Sequence, residues 1–213
     1  MRFSHGNGLR EGQGRARLRV AGVPLVSVAL IALCLAVLGC GNLLANARES
    51  EERGDLNGAV AGYLAALETD PDNLDALSGA AVCLLMLQRH DEALLVQERL
   101  VALDTGDVQN RVELGFNYLN HQDRPGDAAR VLREATVLEP SAKNLTFLAQ
   151  AQMASGDSGG AEQTLLQAIG VDPRYAHSYT TLVRLLEAAG RGSEAGQVKA
   201  QALQQGITIA ESS

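Results

Sequence analysis

Aromatic residues are scarce: the 213-residue chain carries four Tyr, three Phe and no Trp. That excludes an immunoglobulin-like sandwich or an aromatic-rich barrel, whose cores depend on such side chains. There is no basic surplus either, since 18 Lys and Arg face 25 Asp and Glu. A nucleic-acid partner is therefore not expected, because nothing would neutralise its phosphates. Cysteine is limited to three residues. Cys34 and Cys40 fall in the N-terminal segment, and the lone Cys83 of the body cannot form an intrachain disulfide. It sits in Ala80-Ala81-Val82-Cys83-Leu84-Leu85 and reads as a small buried hydrophobe. Phosphate loops, Cys/His zinc clusters, His-Glu-x-x-His and dinucleotide fingerprints are all missing. No metal, no cofactor and no small-molecule substrate is expected, and the chain is not expected to be an enzyme. What the sequence does have is 46% hydrophobic residues, enough to fold, and 32 Ala, the best intrinsic helix former.

The N-terminus carries Arg2, Arg10, Arg15, Arg17 and Arg19 against Glu11, followed by the uncharged run Val20 to Leu38. A basic start, an apolar stretch and a small residue at the end fit a secretory signal over 1–39. The run closes in Val37-Leu38-Gly39-Cys40, which resembles the lipobox of bacterial lipoproteins. The resemblance implies a diacylglycerol on the Cys40 sulfur and cleavage just before it. Leu38 stands where Ala or Ser is commoner, and Cys34 fails the same comparison because bulky Leu33 precedes it. The alternative is an uncleaved anchor, for which the apolar run is just long enough, although Pro24 counts against it. Positive charge stays inside, so either reading puts the body outside the cytoplasm. Gly41, rather than Asp, follows Cys40. By the sorting rule of enterobacterial lipoproteins this implies the outer membrane, where the cell has one. Without 1–39 the charge is 13 cationic against 24 anionic side chains, a net of −11. Anionic lipid would repel such a body, so the membrane hold must come from acyl chains.

The body repeats. Ala59, Ala93, Ala128, Ala161 and Ala195 each open an apolar helical pattern, at spacings of 34, 35, 33 and 34. Ala47, Ala81, Gly115, Ala149 and Val183 form a second register, spaced 34 throughout. Asp70-Pro71, Glu139-Pro140 and Asp172-Pro173 end the second helix of units one, three and four. Gly54-Asp55, Gly156-Asp157 and Gly190-Arg191 separate the two helices. The pattern predicts helix pairs at 42–53/56–69, 74–87/91–103, 108–121/125–138, 142–154/158–170 and 175–188/192–205. Unit one has Asn46 and Ser50 at apolar positions, so its first helix frays or caps the stack. Unit three has an extra residue around 122–126.

Two helices per period of about 34 residues, punctuated in this way, resemble the tetratricopeptide repeat. Its motif is plain in Gly54-Asp55, Ala59, Tyr63, Ala66 and Asp70-Pro71, and again in Gly156-Asp157, Ala161, Leu165, Ala168 and Asp172-Pro173. The fold implied is all-α, a right-handed superhelical solenoid of about five helix-turn-helix repeats over 40–206. The units are about 40–73, 74–107, 108–141, 142–175 and 176–206, with a tail over 207–213 that is disordered or caps the last helix. Family members hold a peptide or helix in a concave groove lined from the first helix of each unit. Carried onto this chain, the lining residues include Val82, Leu85, Val112, Phe116, Leu119, Gln150 and Met153, with Met86 beside them. Six of these make an apolar patch on units two and three. The Lys, Asn and Arg that clamp a C-terminal carboxylate in chaperone-binding members are replaced here by Ser78, Val82, Val112 and Phe116.

Three local matches are set aside. Gly156-Asp157-Ser158-Gly159-Gly160 matches the nucleophile segment of chymotrypsin-like proteases, and Arg53-Gly54-Asp55 the integrin tripeptide; both fall at inter-helix turns, where Gly-Asp is expected for turn reasons. Asp70-Pro71-Asp72-Asn73 lacks the later ligands of a calcium loop. His90 and His121 fall near inter-helix turns and read as surface residues. The expected function is a lipid-anchored adaptor of the bacterial cell envelope that binds a protein partner's peptide or helix, as small lipoproteins of pilus and secretion-machinery assembly do. A structural subunit that self-assembles into a homo-oligomer through its end helices is the alternative.

Overall fold

The computed structural model describes residues 42–209. Ten helices occur among the described residues: α1 (42–52), α2 (Leu56–Thr69), α3 (Leu74–Met86), α4 (His90–Leu103), α5 (Val108–Asn120), α6 (Pro125–Leu138), α7 (Ala142–Ala154), α8 (Ser158–Val171), α9 (Ala176–Ala188) and α10 (Gly192–Gln204). No end departs from the sequence expectation by more than one residue. From α2 onward each helix packs on the next in order, Ala47 of α1 shares a cluster with Ala59 and Val60 of α2, and α5 and α7, and α7 and α9, also touch across units. That serial packing defines a solenoid of helical hairpins.

Local chemistry sets the helix ends. Asp55, Asn73, Asp107, Ser141 and Asp157 are N-caps, each side chain accepting from the backbone N–H three residues on. The cap satisfies a donor that has no partner inside the helix. Asp157 caps α8 in this way and Ser158 is the first helical residue, which accounts for the protease-like string by helix capping. The inter-helix turns need a left-handed residue. Gly54, Gly156 and Gly190 supply it in units one, four and five, at φ of +77°, +85° and +71°. Units two and three place Gln88 (φ 59°) and Asp123 (φ 49°) there instead, at a steric cost that glycine avoids. Gln88→Gly is therefore expected to stabilise the fold by about 0.5–1 kcal/mol, read as a higher midpoint in urea; an unchanged or lower midpoint contradicts this account.

The repeat registers form the core. Ala59, Ala93, Ala128, Ala161 and Ala195 are at most 2% exposed, and Ala47, Ala81, Gly115, Ala149 and Val183 are buried as well. At Gly115 the approach leaves no room for a side chain, since an added Cβ would lie 2.7 Å from Leu132 Cγ. Large apolar residues wedge between these contacts: Tyr63, Leu77 and Leu84 in one cluster, Leu114, Tyr118 and Leu132 in the next, Leu165, Tyr179 and Leu182 in the third. Cys83 is fully buried, and burial holds its thiol above the usual value, so it acts as a core atom. At the C-terminal end α10 buries only Ala195 and Ala202 and exposes Gln197, Gln201 and Gln204 together with Leu203, which is 65% exposed. Gly206 (φ +77°) then turns the chain so that Ile207 N–H donates to the Ala202 carbonyl at 3.0 Å, and Ile207 and Ile209 pack on the last cluster.

Candidate partner-binding groove

α3, α5, α7 and α9 are the first helices of units two to five, and their second, fifth, ninth and twelfth positions define the candidate groove. The structure divides the residues read from the sequence. Val82 and Met86 are exposed, at 39% and 62%. Leu85, Phe116, Leu119, Gln150 and Met153 are half-buried. Val112 is only 4% exposed and belongs to the cluster of units two to four, so it supports the stack rather than the groove. The fifth position of unit four behaves likewise: Thr146 is fully buried, with its hydroxyl 2.8 Å from that of Ser178. Cys40, the expected lipid site, lies outside the described residues, as does the segment 1–39.

Leu85 and Phe116 come together in one depression of about 300 Å³, whose wall also holds His90, Glu113, Asn117 and His121. Phe116 meets Phe147 edge to face at 4.6 Å between ring centroids, and the Lys143 ammonium lies 5.8 Å over the Phe147 ring. Phe147 was missed from the sequence; it stands one place beyond Thr146, whose own position turns inward. Gln150 contacts His177 at 2.8 Å and Met153 packs against the last cluster, so these two serve the unit four and five end of the face.

His121 is exposed, as expected, but it pairs with His90. His90 is half-buried and begins α4, His121 ends α5, and their rings stack 3.4 Å apart at 5°. Partial burial and the neighbouring His90 lower the pKa of His121. A depressed imidazole pKa means the unfolded chain binds more protons, so this stability is present above the ordinary imidazole value of 6.5 and is lost as pH falls through the folded value. The melting temperature is expected to fall between pH 7.5 and 5.5 by less in His121→Asn than in the wild type. Equal falls would show that His121 does not contribute to stability in this way.

Among the described residues no group of three or more His, Cys, Asp and Glu could hold a metal ion, and no helix is long and apolar enough to cross a membrane.

Stacked helical hairpins, each buried only against its neighbours, make this a helical-repeat protein of the interaction-scaffold type. The tetratricopeptide repeat profile matches residues 44–108 and 148–208, and the chain belongs to the tetratricopeptide repeat family. A comparison with curated proteins gives no match. Among solved structures the chain is similar to the protein MamA, at 20% identity, covering 82% of this chain and 98% of that one, with a TM-score of 0.70. It is similar to YrrB, described as a TPR protein with an unusual peptide-binding site, at 18% identity over 76% of this chain and 84% of that one, TM-score 0.66. It is also similar to PilF of Pseudomonas aeruginosa, at 18% identity over 82% and 79%, TM-score 0.57. At these identities the likeness is one of fold.

Proposed function

We propose that the chain is a lipid-anchored adaptor of the bacterial cell envelope that holds an apolar helix or peptide of a protein partner on the face of α3 and α5. The observation that carries this reading is the row Val82, Leu85, Met86, Phe116 and Leu119, in which two residues are exposed and three half-buried. Exposed apolar side chains grouped beside a depression mark an interaction surface, and an amphipathic helix fills such a groove with residues three and four apart. A neighbour of the same fold described as having a peptide-binding site supports the peptide class of ligand. Pilus or secretion-machinery assembly is the proposed setting on the lipobox-like segment together with the repeats. Val37-Leu38-Gly39-Cys40 supports anchorage through Cys40 in a membrane facing the periplasm or the cell exterior.

The test is a photocrosslinking side chain at position 82 of the full chain in cells, with the adducts identified by mass spectrometry. Position 82 is preferable to 116, because Phe116 packs on Phe147 and its loss would disturb the stack. A single envelope protein captured from position 82 is the expected result; capture of a second copy alone, or of nothing, would overturn the groove. Anchorage is read separately, as incorporation of labelled fatty acid that disappears in Cys40→Ser.

A further inference from the structure

The depression on α3 and α5 carries charge as well as apolar surface. His90 and His121 line it, and they also line a second depression of about 410 Å³ that holds Arg89, Asp91 and Glu92. Arg89 grips Glu92 with two bonds, Nε to Oε1 at 2.7 Å and Nη2 to Oε2 at 2.6 Å, so those two charges cancel. Among the described residues Asp91 and Glu113 enter no ion pair. Each accepts from a neutral amide instead, Asp91 from Gln122 Nε2 at 2.9 Å and Glu113 from Gln109 Nε2 at 2.9 Å. Lys143 of α7 lies over the Phe147 ring and pairs with neither. With histidine neutral at pH 7, the two linings set three carboxylates against one guanidinium, a net of −2. Asp91 stands in the first turn of α4, where the positive helix end compensates it in part. Glu113 stands in the middle of α5, with no helix end near it, and is half-buried beside Phe116.

The floor of the first depression is electronegative too. Asn117 lines it and is only 2% exposed. Its Nδ2 donates to the His90 carbonyl at 3.2 Å and to Gln97 Oε1 at 2.7 Å. A backbone carbonyl can only accept, so the amide is fixed in this orientation. Asn117 Oδ1 is then buried with no donor. A fixed, unmatched carbonyl dipole adds to the negative potential of the carboxylate beside it. Apolar walls, a flat exposed imidazole at His121 and an unpaired carboxylate on one side call for a particular ligand side chain. Arginine has a stem that covers apolar surface, a planar head that stacks on rings, and a fork that matches a carboxylate.

We propose that the depression receives an arginine side chain of the partner segment, its stem on Leu85 and Phe116 and its guanidinium paired with Glu113. The proposal rests on the groove reading and deepens it: the partner segment is apolar where it meets Val82 and Met86 and basic where it meets Glu113.

The experiment follows the imidazole resonances of the full chain in detergent micelles at pH 7.5. Two blocked peptides are the probes: acetyl-Leu-Ala-Ala-Arg-Leu-amide, and the same peptide with citrulline for arginine, which keeps the shape and removes the charge. His121→Asn assigns the signal. The arginine peptide is expected to move the His121 resonance saturably, and the citrulline peptide to bind about tenfold or more weakly. Glu113→Gln still accepts from Gln109, so it is expected to fold, and in it the two peptides should bind alike. Glu68→Gln removes the same charge from an exposed site on α2 and should leave the arginine preference intact. Equal binding of the two peptides to the wild type, a preference that survives Glu113→Gln, one that Glu68→Gln removes as fully, or a resonance unmoved by either peptide would overturn the proposal. Capture from position 82 separates this from the groove reading. Capture without an arginine preference keeps the groove and overturns its basic ligand; an arginine preference without capture keeps the Glu113 site and overturns the groove.

Discussion

Ala93→Arg is expected to unfold units one to three. Ala93 is fully buried in the cluster that joins α1 to α4, at the register position shared with Ala59, Ala128, Ala161 and Ala195. An arginine there adds volume to a packed site, at about 1–3 kcal/mol, and buries a charge with no partner, at about 3–5 kcal/mol more. The sum rivals the total stability of an ordinary domain, about 5–15 kcal/mol. In a repeat array each unit is stable only against its neighbours, so loss of α4 also removes support from α3 and α5. The expected readout is a large loss of helical circular dichroism at 25 °C. Leu95→Arg is the control: two residues along the same helix, it is 69% exposed, and its effect should stay within about 0.5 kcal/mol. A cooperative Ala93→Arg melt near the wild-type temperature would refute the register.

That register was legible because the constraint behind it is local and repeated. Close approach of paired helices demands a small residue, and the same demand recurs five times at Ala59, Ala93, Ala128, Ala161 and Ala195. Proline and Gly-Asp punctuation marks the ends for equally local reasons, since a capping carboxylate serves only the donor three residues away. The groove was less legible. Positions averaged over a family cannot report that Val112 turns into the cluster of its own unit, or that Thr146 is drawn inward by Ser178. The junction of units two and three was not legible at all. Gln97, Arg111 and Asn117 look like ordinary surface residues until the fold buries all three and bonds Gln97 to Asn117, and His90 finds His121 only across two units. Non-local pairing of single, unrepeated residues leaves no periodic trace.

Met86→Glu is expected to reduce partner capture from position 82 at least tenfold while leaving the melt close to wild type. The two halves of that statement rest on different physics. Met86 closes α3 and is 62% exposed, so a carboxylate there stays hydrated in the free chain and changes stability within about 0.5 kcal/mol. A partner's apolar helix would have to strip that hydration on docking. Even a partly relieved desolvation of about 1.4 kcal/mol is a tenfold loss of affinity, and a buried, unpaired charge exceeds it. Methionine is also the side chain that adapts its shape to a partner, so Met86→Leu should keep most of the binding by keeping the apolar area. Charge and area are thereby separated: if Met86→Glu and Met86→Leu weaken capture equally, the contact depends on shape, and if neither does, the partner docks elsewhere on the solenoid. Phe116→Glu would not give so clean a result, because Phe116 supports Phe147 and the cluster beneath it, and a lost interaction there could be a lost fold.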